Sequence, residues 1–169
     1  RHYRFKGVKL YHRPLQRPYP PLWYPTANLG SLPWIAEHGF STLLLFLFAS
    51  PAEVGAQLRL YRQGLAEHAG RPHRLNGHVA EPHGGFGIQI YVADSDAEAR
   101  QVAREAHAVF FENFNHLWAE HGDLTRHAAR ADFETFVHQG LLACGSPDTV
   151  RALLQEYLDA TGADYLAGV

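Results

Sequence analysis

The sequence contains no methionine and only one cysteine, Cys144. A single thiol excludes an internal disulfide framework and any zinc cluster built from cysteines. Neither sign of charge dominates: 15 Lys and Arg stand against 17 Asp and Glu, for a formal net charge of −2. That balance argues against a nucleic-acid binder, which needs clustered cations to neutralise phosphates. Long apolar runs are also missing. The longest, Leu43 to Ala49, is far short of the roughly 20 residues that span a bilayer. No charged-then-apolar leader is read near Arg1, so no membrane partner is expected and a cytoplasmic location is the default. The missing methionine, with Arg1 opening the sequence, adds the expectation that this is a fragment of something longer.

What is present is a chain of 169 residues, 46% hydrophobic and 12% aromatic, enough for one domain with a core. Pro14, Pro18, Pro20 and Pro21 favour an extended opening segment. Leu22 to Thr26 reads as a short buried strand, and Ala27-Asn28-Leu29-Gly30-Ser31 as turn and cap residues. A helix over Leu32 to His38 would close at Gly39. Phe40 to Phe48 is apolar on both faces, as expected of a strand buried in a parallel sheet. Ser50-Pro51-Ala52-Glu53 combines a capping Ser, Pro at the first helical position and Glu at the third. Val54, Leu58, Tyr61 and Leu65 follow at helical spacing.

Gly70 to Gly85 reads as a loop and Gly87 to Val92 as a strand. Ser95-Asp96-Ala97-Glu98 repeats the capping pattern, with Ala99, Val102, Ala106, Val109 and Phe110 as the apolar face that follows. Ser146-Pro147-Asp148 opens a third helix carrying Val150, Leu153, Leu154, Tyr157 and Leu158, which Gly162 ends before a last strand, Tyr165 to Val169. Strands and helices alternating at this spacing predict an α/β fold with a parallel sheet.

Three stretches carry a family resemblance: RPLQRPYPPLW (Arg13 to Trp23) leading into NLGSLPWIAEHG (Asn28 to Gly39), IYVADSDAEAR (Ile90 to Arg100), and GLLACGSPDTVRALLQEYLDATGADYL (Gly140 to Leu166). Together and in this order they resemble the C-terminal half of the bacterial-luciferase-like flavin-dependent monooxygenases. The resemblance implies a (β/α)8 TIM barrel, here from about the fifth strand to the eighth. A whole barrel takes about 250 residues, so the first four strands would precede Arg1 and the last helix would follow Val169. The implied activity uses reduced FMN and dioxygen to oxygenate a small organic substrate. The isoalloxazine would carry the chemistry while the protein binds, orients and excludes water. A deazaflavin-dependent hydride transfer on the same fold is the alternative, and a non-catalytic half-barrel that assembles with a partner is another. A flavin reductase and a second copy of the chain are the protein partners the family suggests. The family's better-known catalytic residues come from the other half, so no catalytic residue is named.

Barrel enzymes place their sites at the C-terminal ends of the strands. Here these ends fall near Thr26-Ala27-Asn28, Phe48-Ala49-Ser50, Ala93-Asp94, Cys144-Gly145-Ser146 and Gly168-Val169. The first runs directly into a helix start, whose free N–H groups and dipole favour an anion. The matching family segment contacts the flavin phosphate. By position this implicates Asn28 and Ser31, with Ala27 and Leu29 through their main chains. The family commonly has an acidic or small polar residue followed by Ser where this chain has Ala27-Asn28. The plainer alternative makes Asn28 and Ser31 helix caps only.

Other candidates weigh less. Ser146 lacks the G-x-S-x-G setting of a nucleophile and reads as a helix cap, and Cys144 as a small buried residue. His68, His73, His78 and His83 recur every five residues, and His116 and His121 share that step. This spacing fits neither a helix nor a strand ligand pair, so no metal is expected. The basic, aromatic opening from Arg1 to Tyr19 reads as a strap rather than a nucleic-acid surface. The sequence leaves His107 and His138 unplaced relative to the barrel mouth.

Overall fold

The computed structural model describes residues 4–9, 11–45, 49–122 and 132–169. Its elements are a single 3-10 turn, Leu29–Ser31, then α1 (Leu32–His38), β1 (Thr42–Leu45), α2 (Pro51–Glu67), β2 (Gly84–Val92), α3 (Asp96–Glu120), α4 (Phe133–His138), β3 (Leu142–Gly145), α5 (Pro147–Thr161) and β4 (Tyr165–Gly168). All pairings are parallel. β2 is central: Gly84–Gly87 pair with β1, Gly85–Ile88 with β4, and Gln89–Val92 with β3. The segment from Leu22 to Thr26 adds a further parallel neighbour to β1 through bridges Trp23–Ser41 and Thr26–Leu44. Strands adjacent in sequence are thus mostly adjacent in space, joined by helices, as expected of an α/β fold with a parallel sheet.

The helix boundaries follow local chemistry. Ser50 makes the full capping box with Glu53, and Ser146 accepts the Thr149 N–H at the start of α5. Gly39 and Gly162 close α1 and α5 in the left-handed conformation, at φ 72° and 61°, which glycine adopts without a Cβ penalty. Phe86, Ile88 and Leu44 from the sheet are fully buried, together with Val54, Leu58 and Tyr61 of α2 and Ile35 of α1. Each such apolar side chain contributes about 1.5–3 kcal/mol relative to exposure. The helices approach closely where side chains are absent: a Cβ on Gly55 of α2 would lie 2.5 Å from the Ala160 carbonyl of α5.

Three expectations need correction. β2 begins at Gly84, not Gly87. Glycines are poor strand formers, but a Cβ on Gly85 would lie 2.3 Å from the Tyr165 carbonyl, so the close approach of β4 requires that residue. The buried face of α3 is Ala99, Ala103, His107 and Phe111, whereas Val102 and Val109 are exposed. The His107 ring takes part in this face and packs against Phe111, Phe133 and Phe136 at centroid distances of 4.5, 5.6 and 4.8 Å. Finally, α4 was not expected. It is capped by Asp132, which accepts the Thr135 N–H. Of the expected strand Phe40 to Phe48, Thr42–Leu45 is strand, and Phe46, Leu47 and Phe48 lie outside the described residues.

Candidate cofactor-phosphate turn

Thr26 leaves the edge of the sheet and is itself buried, while Ala27, Asn28, Leu29 and Gly30 are exposed. Thr26, which the sequence reading passed over, organises the turn. Its hydroxyl accepts the Asn28 N–H at 2.9 Å and donates to the Asn28 carbonyl at 3.1 Å. The only sequence signal for this is a Thr two residues before an Asn, a common local side-chain-to-backbone pattern. The Asn28 side-chain oxygen in turn accepts the Gly30 N–H at 3.1 Å, and the Ser31 N–H donates to the Asn28 carbonyl at 3.0 Å.

Asn28 is therefore a cap, as the plainer reading held. Its Oδ1 serves the 3-10 turn and its NH2 group stays available. Ser31 makes no side-chain capping bond. Among the described residues, the N–H groups of Ala27 and Leu29 donate to no protein acceptor. The four residues named from sequence thus share one exposed turn carrying two unengaged amides, a carboxamide and a hydroxyl. Backbone and hydroxyl donors of this kind suit an anion. A small cavity of about 30 Å³ adjoins the turn, lined by Thr26, Ala27, Leu29, Leu44 and Gln57 among others. A cleft of about 310 Å³ between α1 and α2 reaches Leu29 but neither Asn28 nor Ser31. Another, of about 360 Å³, lies beside Ile90, Ala103, His107 and Phe110, away from the turn.

The other strand ends are differently furnished. At β3, the Asp96 carboxylate accepts the Ser146 N–H at 2.6 Å and the Thr149 hydroxyl at 3.0 Å. These bonds, the Ser146 N–H first, hold its carboxyl below the ordinary aspartate range. Ser146 is a cap, with its hydroxyl 3.0 Å from that of Thr149. Cys144 is buried, and burial pushes its thiol upward, the opposite of what a reactive thiolate needs.

The described histidines do not gather at one site. His83 meets Asp164 at 3.2 Å and stacks against Trp23, while His78 packs edge-on against Tyr19 at 4.6 Å. His107 is buried against Phe133 and Phe136 of α4 and lines the cleft beside Ile90 and Phe110. Among the described residues, no three His, Cys, Asp or Glu side chains come together as a metal set. No described helix is long and apolar enough to cross a membrane. The basic opening is exposed from Arg4 to Lys9 and from Tyr11 to Pro18.

Comparison with known proteins gives this geometry its context. The chain is 25% identical to the monooxygenase RslO1 of Streptomyces bottropensis, with a TM-score of 0.70, covering 99% of this chain and 46% of that one. It shares its fold with the oxygenating constituent of 3,6-diketocamphane monooxygenase from Pseudomonas putida, a type II Baeyer-Villiger monooxygenase solved in complex with FMN. There the TM-score is 0.61 at 21% identity, covering 89% of this chain and 42% of that one. Protein y4wF of Sinorhizobium fredii is 26% identical over 165 residues, 98% of this chain and 46% of its own length. The chain therefore spans about half the length of these relatives. The sequence pattern of the luciferase-like monooxygenases matches residues 1–165, and the chain belongs to that family.

Proposed function

We propose that this chain is the flavin-phosphate-binding, C-terminal part of a TIM-barrel monooxygenase that uses reduced FMN and dioxygen on a small organic substrate. The observation that carries the reading is the Thr26 to Ser31 turn: unengaged amide, carboxamide and hydroxyl donors gathered at the exit of a parallel strand, in a chain of a monooxygenase family. The Pseudomonas putida relative, which shares this fold, was solved in complex with FMN, and this supports a flavin as the cofactor.

FMN would supply the redox chemistry when bound. The chain's own part is to fix its phosphate. The Ala27 and Leu29 N–H groups, the Asn28 carboxamide and the Ser31 hydroxyl would donate to that group, with Thr26 keeping the turn in shape. Charge-assisted hydrogen bonds of this kind are roughly twice as strong as neutral ones. A helix start contributes a further 0.3–1 kcal/mol or so toward an anion.

The test is a fluorescence titration of the protein with FMN and, separately, with a deazaflavin cofactor. Saturable binding of FMN with weaker or no deazaflavin binding is expected. Preference for the deazaflavin would transfer the assignment to hydride-transfer chemistry without oxygen. Binding of neither would remove the flavin reading from this chain.

A further inference from the structure

Several helices start on the side of the sheet where the strands end, and two of those starts, before α1 and before α5, differ in how they are filled. The turn before α1 has open donors. The start of α5, a helix of 15 residues, is the stronger anion seat by length and dipole, yet it already holds an anion. Asp96, from the first turn of α3, places one carboxylate oxygen 2.6 Å from the Ser146 amide and the other 3.0 Å from the Thr149 hydroxyl.

The backbone makes room for it. A Cβ on Gly145 would lie 2.9 Å from that Asp96 oxygen and 2.7 Å from the Thr149 methyl, so the carboxylate fits because residue 145 has no side chain. The Ala93 N–H donates to the Gly145 carbonyl at 3.2 Å, binding the two turns from the backbone side. Pro147 occupies the first position of α5 and removes one donor a ligand could use. Asp96, Arg100 of α3 and Glu134 of α4 all lie within electrostatic reach of the Cys144 thiol of β3. Arg100 is engaged by Glu134.

We infer that Asp96 is the resident anion of the α5 start: it fastens the β3–α5 turn to the start of α3 and closes that end to phosphate-bearing ligands. The α5 start is thereby withdrawn as a seat for a cofactor phosphate, a consequence that rests on the function proposed above. Asp96 is a positioning residue here and touches no reacting atom.

Inorganic phosphate is the probe, read through the amide signals of Ser146 and Thr149 by nuclear magnetic resonance. In the unaltered protein, added phosphate should leave both signals in place. In Asp96→Ala it should move both, saturably, because the vacated seat takes the free anion. A phosphate-induced shift of equal size in the unaltered protein would overturn the inference, and so would no shift in Asp96→Ala.

Asp96→Asn guards against loss of folding. It keeps an oxygen acceptor but removes the charge, so the Ser146 amide proton should move upfield of its position in the unaltered protein. An unchanged Ser146 signal would show that the carboxylate does not hold that amide. None of these readings uses a flavin, so they stand or fall apart from the cofactor assignment.

Discussion

At the residue scale, a few polar side chains do disproportionate structural work. Asn76 is fully buried in the long loop after α2 and ties together segments distant in sequence. Its side chain accepts the Leu22 N–H at 2.9 Å and donates to the carbonyls of Gly39 at 2.7 Å and Leu22 at 3.3 Å. Asn76→Ala would remove the side-chain partner of the Leu22 N–H and of the Gly39 carbonyl, at a cost of about 1–3 kcal/mol for each buried group left unsatisfied, while the Leu22 carbonyl keeps the Ser41 N–H. Urea unfolding should show a midpoint lowered accordingly; a loss below about 0.5 kcal/mol, the scale of an ordinary surface change, would show the loop is held by other means. Tyr61 donates to the Phe40 carbonyl at 2.6 Å, and burial pushes its phenol well above the usual value. A raised folded-state value means its contribution is fully present below the unfolded phenol value of about 10 and fades as pH rises beyond it. Tyr61→Phe should flatten the alkaline limb of the stability profile, and an unaltered limb would contradict the burial of that hydroxyl.

These residues also mark where the sequence stopped being legible. Asn76 sits in a stretch that reads only as loop, because its partners, Leu22 and Gly39, are 54 and 37 positions away. His107, left unplaced by the sequence, is buried among the rings of Phe111, Phe133 and Phe136. Asn28, Ser31, Ala27 and Leu29 were named by position from the family resemblance, and the structure places them in one turn. Asp96 was visible as a helix-start residue, but its reach to Ser146, 50 residues on, was not.

At the scale of elements, the caps and glycines were the most legible signals, and they give direct tests. Ser50 and Ser146 cap α2 and α5, and replacing either with Ala should cost about 1 kcal/mol, measured by thermal or urea unfolding. Gly55→Ala decides between two opposed effects. Helix propensity would gain up to about 1 kcal/mol, but the new methyl would meet the Ala160 carbonyl at 2.5 Å. Backbone cannot yield as a flexible side chain would, and overpacking costs about 1–3 kcal/mol, so net destabilisation is expected. A stabilised Gly55→Ala would mean that α2 and α5 are not in close contact. The misplaced start of β2 has the same origin as this prediction: glycine records a tertiary approach, which no local pattern reveals.

At the scale of the whole molecule, the parallel sheet and its helical cover were readable from alternation alone. The relatives are about twice as long as this chain. Acid should weaken the fold through carboxylates that hold helix starts. Asp96 is held low by the Ser146 N–H and then Thr149, and Asp132 by the Thr135 hydroxyl and N–H. Depressed folded-state values mean this stability is complete above the unfolded aspartate value of about 3.9 and is lost as pH falls through the folded values. The combined Asp96→Asn and Asp132→Asn variant should therefore lose less stability than the unaltered protein between pH 5 and pH 2, roughly the window in which such carboxylates titrate. An equal loss would place the acid sensitivity elsewhere.

The central claim is that the Thr26 to Ser31 turn binds a flavin through its phosphate. The most direct measurement is the affinity of the protein for FMN against riboflavin, which differ only in that group, with Ser31→Ala measured alongside. FMN is expected to bind at least about tenfold more tightly, equivalent to about 1.4 kcal/mol, with the advantage reduced in Ser31→Ala. Equal affinities for FMN and riboflavin would contradict a phosphate site at this turn.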